Sequence, residues 1–229
     1  MEIKNGKKSS KSKKTKITQH SGFKKLRKEW LEPILIALVL VVIIKIFIVQ
    51  NFKIPSGSME DTLLVGDRLF AVKFIYGAKI PFINHRIFKI RDPKPGDIIV
   101  FKFPEDPSLS YIKRCVAVGG QTLEIRDKKV YVDGELQKLP EHGKFIDPNI
   151  LYKSLGKRDN YGPFKVPEGS FFMMGDNRDN SRDSRYWGLL PYENLMGKAL
   201  FIYWSTDPDV EIYDIFHKVR WRRIFNLIR

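Results

Sequence analysis

The sequence predicts a mainly antiparallel β domain with few short helices, preceded by one N-terminal transmembrane helix. Three observations support this prediction: one long apolar run near the N-terminus, many short β-branched or aromatic segments bounded by turn residues, and enough apolar residues for a core. Hydrophobic residues make up 43% of the chain, with 16 Phe and 9 Tyr. The 229 residues suit one anchored domain of ordinary size and hardly two large ones.

Residues 1–28 form a strongly basic tail. They hold eleven Lys or Arg residues and one acid, so 11 − 1 gives +10 of the formal net charge of +15. The tail is polar and has no hydrophobic period, and we therefore expect it to be disordered. Such a tail suits RNA, anionic lipid or a topology signal beside a membrane span.

The apolar run Ile34–Val49, interrupted only by Lys45, predicts a membrane anchor over 29–52. At about 1.5 Å per residue the run spans about 24 Å, and residues 50–52 bring it close to the ~30 Å hydrocarbon core. Its apolar residues surround the whole helix, which disfavours a core helix. No small-residue cleavage pattern follows, which disfavours a cleaved signal. The basic tail should stay cytoplasmic, which places residues 53–229 outside the cytoplasm.

The strands are predicted from β-branched and aromatic runs between turn signals such as Pro95-Gly96-Asp97. Residues 138–165 are rich in loop signals and receive no strand. The basic segment Ile212–Arg229 either lies on the membrane surface or docks against the core. The predicted strands are Asp67–Phe74, Asp97–Phe103, Tyr111–Val118, Thr122–Ile125, Lys129–Val132, Phe171–Met174 and Lys198–Trp204.

Cysteine and histidine usage argues against a disulfide framework and against a metal site. Cys115 is the only cysteine, so no intrachain disulfide can form, and we expect it to be a small buried apolar residue. The four His residues are scattered without ligand spacing, so we expect no bound metal.

Three polar segments could carry chemistry. The turn at 55–59, PSGSM, can expose a hydroxyl and backbone N–H groups. In YIKR at 111–114, strand alternation places Lys113 on the face of Tyr111 and Arg114 on the opposite face. The segment 175–188 alternates acids, bases and small polar residues, typical of a loop held by its own ion pairs. Taken singly, these segments would suit an ordinary linker, an edge strand and a solvated loop.

In combination and order, these segments resemble the bacterial type I signal peptidases. The resemblance covers roughly residues 25–229 and rests on PSGSM at 55–59, PKPGDIIVFKFP at 93–104, YIKR at 111–114 and GDNRDNSRDSRYWG at 175–188. It implies Ser58 as nucleophile and Lys113 as general base. It also implies that Ser56 helps the Ser58 N–H to form an oxyanion hole and that Ser181 orients the lysine amine. The remaining implied residues are the structural ion-pair members Asp176, Arg178, Asp183 and Arg185.

Physical chemistry supports a Ser/Lys pair. A serine hydroxyl is inert near neutral pH without a base, and no His lies in these segments. A lysine at its usual pKa of about 10.4 is protonated, but desolvation can lower that pKa by several units. Asp61 replaces the proline common in the family, and Gly119-Gly120 replaces a usual Pro-Gly turn. We expect Asp61 and its neighbour Glu60 to point away from Lys113, since acids beside the amine would raise its pKa.

The resemblance implies a serine endopeptidase of the cytoplasmic (inner) membrane with one transmembrane span. The implied partners are preprotein signal peptides and the lipid bilayer, with no nucleic acid, no cofactor and an oligomeric state that the sequence leaves open. Two other functions remain possible from the residues alone: a Ser/Lys self-cleaving regulatory protein, and a catalytically inert polybasic membrane tether.

Overall fold

The computed structural model describes residues 30–80 and 85–229, so the predicted basic tail at 1–28 lies outside the described residues. The chain divides into two units, Met1–Val42 and Ile43–Arg229. Helix α1, Glu32–Ile43, carries apolar side chains that are exposed around it. Over the two described ranges, the structure contains no helix that is both long and apolar enough to cross a membrane.

The predicted anchor segment is not helical throughout. A short π-helical segment, Ile44–Ile48, follows α1, and residues Val49–Lys53 then form strand β1. This strand pairs with Asp67–Val72 in antiparallel register. The polar residues Gln50 and Asn51 end the apolar run, and their backbone groups gain partners in a sheet.

The second unit is built from antiparallel sheets with few short helices, as the sequence predicts. The remaining strands are β2 (Asp67–Val72), β3 (Ala78–Lys79), β4 (Arg86–Ile87), β5 (Ile98–Lys102), β6 (Ser110–Val118), β7 (Thr122–Arg126), β8 (Lys129–Val132), β9 (Glu135–Leu136), β10 (Tyr161–Lys165), β11 (Ser170–Met174), β12 (Leu190–Pro191) and β13 (Leu195–Ser205). The helices are α2 (Ser184–Trp187) and α3 (Ile215–Lys218), with 3-10 turns at Gly57–Met59, Tyr192–Asn194 and Trp221–Arg223.

The strands form one large sheet, one small sheet and a hairpin. The large sheet has seven strands in the order β1-β2-β13-β5-β6-β11-β12, and the small sheet has the order β10-β7-β8-β9. Strands β3 and β4 form the hairpin. Each of the seven predicted strands is present, with its ends shifted by three residues or fewer. Strand β10 was not predicted because Gly162 and Pro163 lie within it and read as a turn.

The core fixes the segment that follows β1 against the large sheet. The side chains of Met59 and Leu63 are fully buried and pack in one cluster with Leu69 and Ile202. The burial of Met59 therefore holds the turn at 57–59 against the large sheet. Cys115 is buried in a second cluster around Ile99, as expected, and burial raises the pKa of its thiol.

The C-terminal segment docks against the large sheet. The Phe225 N–H donates to the Ile202 carbonyl at 2.7 Å, and the Ile228 N–H donates to the Leu200 carbonyl at 2.9 Å. Arg223 forms two hydrogen bonds with Asp67, from Nη2 at 2.7 Å and from Nε at 3.2 Å. The sequence left open whether this segment lies on the membrane surface or docks against the core, and in the structure residues 223–228 dock against the core.

We predict that Arg223→Met lowers the free energy of unfolding by about 3 kcal/mol, because Asp67 is fully buried and would lose its charged partner. Urea denaturation measures this change. The matched control is Arg222→Met, which removes an exposed neighbouring arginine and should change stability by about 0.5 kcal/mol or less. Equal losses in the two variants would contradict the prediction.

Candidate active site

Ser58 lies in the 3-10 turn Gly57–Met59, directly after an extended Ser56. Its side chain is half-buried, whereas that of Met59 is fully buried. The first N–H groups of a helical turn have no partner within the turn. The turn can therefore present the Ser58 hydroxyl and backbone N–H groups to the same side.

Lys113 lies on β6, and its Nζ is 2.6 Å from the Ser58 Oγ. The lysine is only 4% exposed. Its Nζ is 5.6 Å from the centre of the Tyr111 ring, which lies on the same strand face, as alternation predicts. The structure thus brings together the two residues expected to act as nucleophile and base.

Burial lowers the pKa of Lys113 to about 8. The carboxylates of Asp183 and Asp176 act in the opposite direction, and the Arg185 guanidinium adds to the lowering. Desolvation is the largest of these effects. A substantial fraction of the amine is therefore neutral near pH 8, where it can accept a proton.

The segment after β11 holds the Ser58 turn in place. The Asn177 N–H donates to the Ser58 carbonyl at 3.2 Å, and the Asn177 side chain donates to the Gly57 carbonyl at 3.3 Å. At Gly175, a methyl group would overlap the Ser58 carbonyl oxygen and the Ser181 hydroxyl. The close approach of the two segments therefore requires glycine there.

Asp176 joins the Ser58 turn to the strand that carries Lys113. Its carboxylate accepts two hydrogen bonds from Arg114, at 2.8 and 2.7 Å, and one from the Thr62 hydroxyl at 2.6 Å. Asp176 and Arg114 are both buried. The ion pair of Asp176 thus comes from β6 and not from within its own segment.

Asp183 and Arg185 pair within the segment, as expected. Arg185 donates to Asp183 from Nε and from Nη2, both at 2.8 Å. Asp183 also accepts from the N–H groups of Gly175 and Arg185, the latter at the start of α2. In contrast to the expectation, Arg178 forms no ion pair with any residue that the structure describes.

Ser56 and Ser181 lie on different sides of the turn. Ser56 is exposed and lines a cleft together with Ser58. Ser181 is 6% exposed and lies beside Gly175. Its hydroxyl has no hydrogen-bond partner among the described residues, and the structure contains no hydrogen bond between Ser181 and Lys113.

The two acids next to Ser58 are held by Lys144. The Lys144 Nζ lies 3.1 Å from the Glu60 carboxylate and 3.0 Å from the Asp61 carboxylate. Both acids are partly exposed, and neither contacts Lys113 through a hydrogen bond. Asp61 has a φ of +72°, a backbone conformation that proline cannot adopt.

A cleft of about 280 Å³ opens beside Ser58 and Lys113. Its walls come from the end of β1 and from the first half of β6. Strand β11 pairs with β6 only from Arg114 to Val118, so within the described ranges Ser110–Lys113 has no strand on that side. Unpaired backbone groups of this kind can bind an extended peptide.

Four residues in this arrangement were not identified from the sequence: Arg114, Thr62, Asn177 and Lys144. For Arg114, strand alternation gave a signal, since it puts a second cation on the face opposite Lys113. Asn177 lies within the polar segment 175–188, but the sequence does not show that it reaches the Ser58 turn. Thr62 and Lys144 carry no sequence signal, because their contacts depend on how distant segments meet.

Comparison with known proteins identifies the family. A family model described as "Signal peptidase, peptidase S26" matches residues 27–204. The Signal peptidase I of Pseudomonas aeruginosa is 37% identical over 206 residues, which is 78% of this chain and 72% of the relative. The Signal peptidase I of Pseudomonas fluorescens is 38% identical over 205 residues, with 76% and 71% covered, and that of Aquifex aeolicus is 36% identical over 230 residues, with 79% and 85% covered.

The family model covers well over half of the chain, and the relatives match most of their own length. The chain belongs to the signal peptidase family, peptidase S26, and is a serine endopeptidase of the signal peptidase I type.

Proposed function

We propose that this protein cleaves N-terminal signal peptides from exported preproteins, with Ser58 as nucleophile and Lys113 as general base. The observation that carries the proposal is the buried Lys113 amine 2.6 Å from the Ser58 hydroxyl. The two Pseudomonas relatives are signal peptidases I, and this supports the substrate class. The same relatives favour this function over a self-cleaving regulator or an inert tether.

In the first half of the reaction, the Ser58 Oγ attacks the carbonyl carbon of the scissile peptide bond while the neutral Lys113 amine accepts the hydroxyl proton. The resulting tetrahedral oxyanion is stabilised by the Ser58 backbone N–H and the Ser56 hydroxyl. The C–N bond then breaks, Lys113 returns the proton to the leaving amine, and the mature protein departs. The signal peptide remains on Ser58 as an ester.

In the second half, Lys113 accepts a proton from a water molecule, which attacks the ester carbonyl. Collapse of the second tetrahedral intermediate releases the signal peptide carboxylate and returns the proton to Ser58. We assign the orientation of the lysine amine to Ser181, which is buried beside the turn, and this role requires its hydroxyl, unpartnered among the described residues, to form a hydrogen bond to Lys113 during the reaction. The pairs Asp176–Arg114 and Asp183–Arg185 keep the segments in register.

The substrate binds as an added strand along the free edge of Ser110–Lys113. The residues from Phe52 to Pro55 form the wall of the cleft opposite this edge. The family resemblance implies a preference for small residues at the first and third positions before the cut.

We also propose that the apolar part of residues 29–52, up to Ile48, holds the protein in the cytoplasmic membrane, with residues 1–28 in the cytoplasm and the sheet-forming residues from Val49 onward outside it. The exposed apolar side chains of Leu35, Ile36 and Leu38 on α1 support this proposal, because such side chains are favourable in lipid. The strand β1 at 49–53 belongs to the sheet, so the proposed span ends before it.

We predict that Ser58→Ala and Lys113→Met each lower kcat/KM for a model preprotein by about 10³-fold or more, because the nucleophile or its base is lost. Ser56→Ala should lower kcat by about 10²-fold and leave KM nearly unchanged, because its hydroxyl acts on the transition state. Cleavage is measured in detergent by separating precursor and product. The control Lys102→Met removes an exposed lysine from neighbouring β5 and should retain activity. Full activity in Lys113→Met would refute the proposed base.

The pKa of about 8 for Lys113 sets the pH dependence of the reaction. Burial favours the neutral amine, so kcat/KM should rise about tenfold per pH unit below pH 8 and level off above it. The profile is measured with the full chain, and tryptophan fluorescence over the same range verifies that the protein stays folded. A rise that continues to pH 10 would show that the base titrates as an ordinary lysine.

For the membrane proposal, we predict that the full chain stays in the membrane pellet after alkaline extraction. Protease added to spheroplasts should digest the second unit and spare an epitope tag on the N-terminal tail. The variant Ile36→Lys/Leu38→Lys/Val41→Lys should leave the pellet, since each charge costs about 2.5 to 3.5 kcal/mol in the centre of a span. Recovery of the unmodified chain in the soluble fraction would exclude the anchor.

A further inference from the structure

A second cavity in the second unit is separate from the Ser58 cleft. It measures about 930 Å³ and lies between β6 of the large sheet and the strands β8 and β9 of the small sheet. None of the residues that line it also lines the cleft. Its size is in the range of pockets that bind small organic molecules, about 300 to 1,000 Å³.

Arg178 lines this cavity and is only 4% exposed. Its Nη1 contacts the Met174 sulfur at 3.7 Å, and its buried Nε has no hydrogen-bond partner in the described chain. A buried charge without a partner is costly. A buried polar group without a partner in a native structure therefore calls for an explanation, and a bound ion is one of those known.

The acids near Arg178 are already paired with other cations. Asp176 pairs with Arg114, and Asp183 pairs with Arg185. Asp179 accepts from Lys128 through both of its oxygens at 3.1 Å. Burial, opposed by Asp176 and assisted by Arg185, lowers the pKa of Arg178 to about 10, so the guanidinium is charged at neutral pH.

The other walls of the cavity are apolar or basic. Val116 and Val130 form its inner wall, and the partly or fully exposed Leu136, Leu139 and Phe145 form its outer part. Three lysines, Lys128, Lys129 and Lys138, also line it, as does Arg114, and Glu135 is the only acidic residue of the lining. Because Arg114 is paired with Asp176, the cavity offers the buried Arg178 to a ligand's head and an apolar surface to its body.

We propose that this cavity binds a small amphiphilic carboxylate, whose carboxylate pairs with Arg178 and whose apolar body packs on Leu136, Leu139 and Phe145. The planar guanidinium fork matches the two oxygens of a carboxylate. A single negative charge balances the charge of the buried Arg178 guanidinium. The site does not depend on the proposed catalytic mechanism, and its test does not use peptidase activity.

The test uses three water-soluble probes on the full chain in neutral detergent. These are 4-phenylbutyrate, its uncharged analogue 4-phenylbutanol, and acetate, which has the charge without the body. Calorimetric titration measures the Kd of each, with detergent buffer as the blank. We expect 4-phenylbutyrate to bind at least about tenfold more tightly than either of the others, because only it satisfies both parts of the cavity.

Arg178→Met should weaken 4-phenylbutyrate binding by about 10- to 100-fold, the effect of losing a charge-assisted hydrogen-bond pair. Without ligand, this variant should melt no lower than the wild type, because an unpaired buried charge has been removed. The matched control Arg126→Met removes an exposed arginine outside the cavity and should change neither quantity. Two milder variants, Arg178→Lys and Leu139→Ala, should each weaken binding while leaving the protein folded.

The proposal is overturned if 4-phenylbutyrate fails to bind, or if it binds Arg178→Met and Arg178→Lys as tightly as the wild type. Equal affinity for 4-phenylbutanol would mean an apolar cavity without a function for the arginine. Equal affinity for acetate would mean a simple anion site, which also contradicts an amphiphilic ligand.

Discussion

The ion pair between Arg114 and Asp176 is the interaction on which the rest of the site depends. Arg114 follows Lys113 on β6, and strand alternation points the two side chains to opposite faces. One face carries the lysine to Ser58, and the other binds the loop whose next residue, Asn177, donates to the Ser58 carbonyl. A single bidentate contact therefore ties the strand that holds the base to the loop that holds the nucleophile, and it fixes their separation.

In the same arrangement, burial has a larger effect on the pKa of Lys113 than the nearby charges have. Asp176 and Asp183 would raise the pKa of Lys113, but each is bound to an arginine, and the amine responds chiefly to its loss of water. Lys144 binds the two acids beside Ser58. Each carboxylate near the nucleophile is thus paired with a cation, and Glu60 and Asp61 share Lys144. The cost of this design is several buried ion pairs, in which the loss of one member would leave the other charge uncompensated.

The sequence was a good guide where local chemistry decides the structure, and a poor guide where distant segments meet. Strand alternation and turn residues located seven strands, and motif order identified Ser58 and Lys113. The sequence does not predict that Asp176 pairs with Arg114, because Arg114 lies 62 residues away and several cations lie closer to Asp176 in sequence. Strand β1 was assigned to the anchor because Val49 continues an apolar run, and only pairing with β2 distinguishes it. The lack of a partner for Arg178 is likewise a property of the assembled fold.

The positive φ of Asp61 has a practical consequence for protein engineering. Replacing residues by the commonest type in related sequences is a widely used route to stabilisation. The family resemblance implies proline at this position, and its ring fixes φ near −65°, a value incompatible with the φ of +72° found here. A substitution chosen from related sequences is therefore destabilising where one family member has a different backbone conformation. Such positions are recognised from the structure.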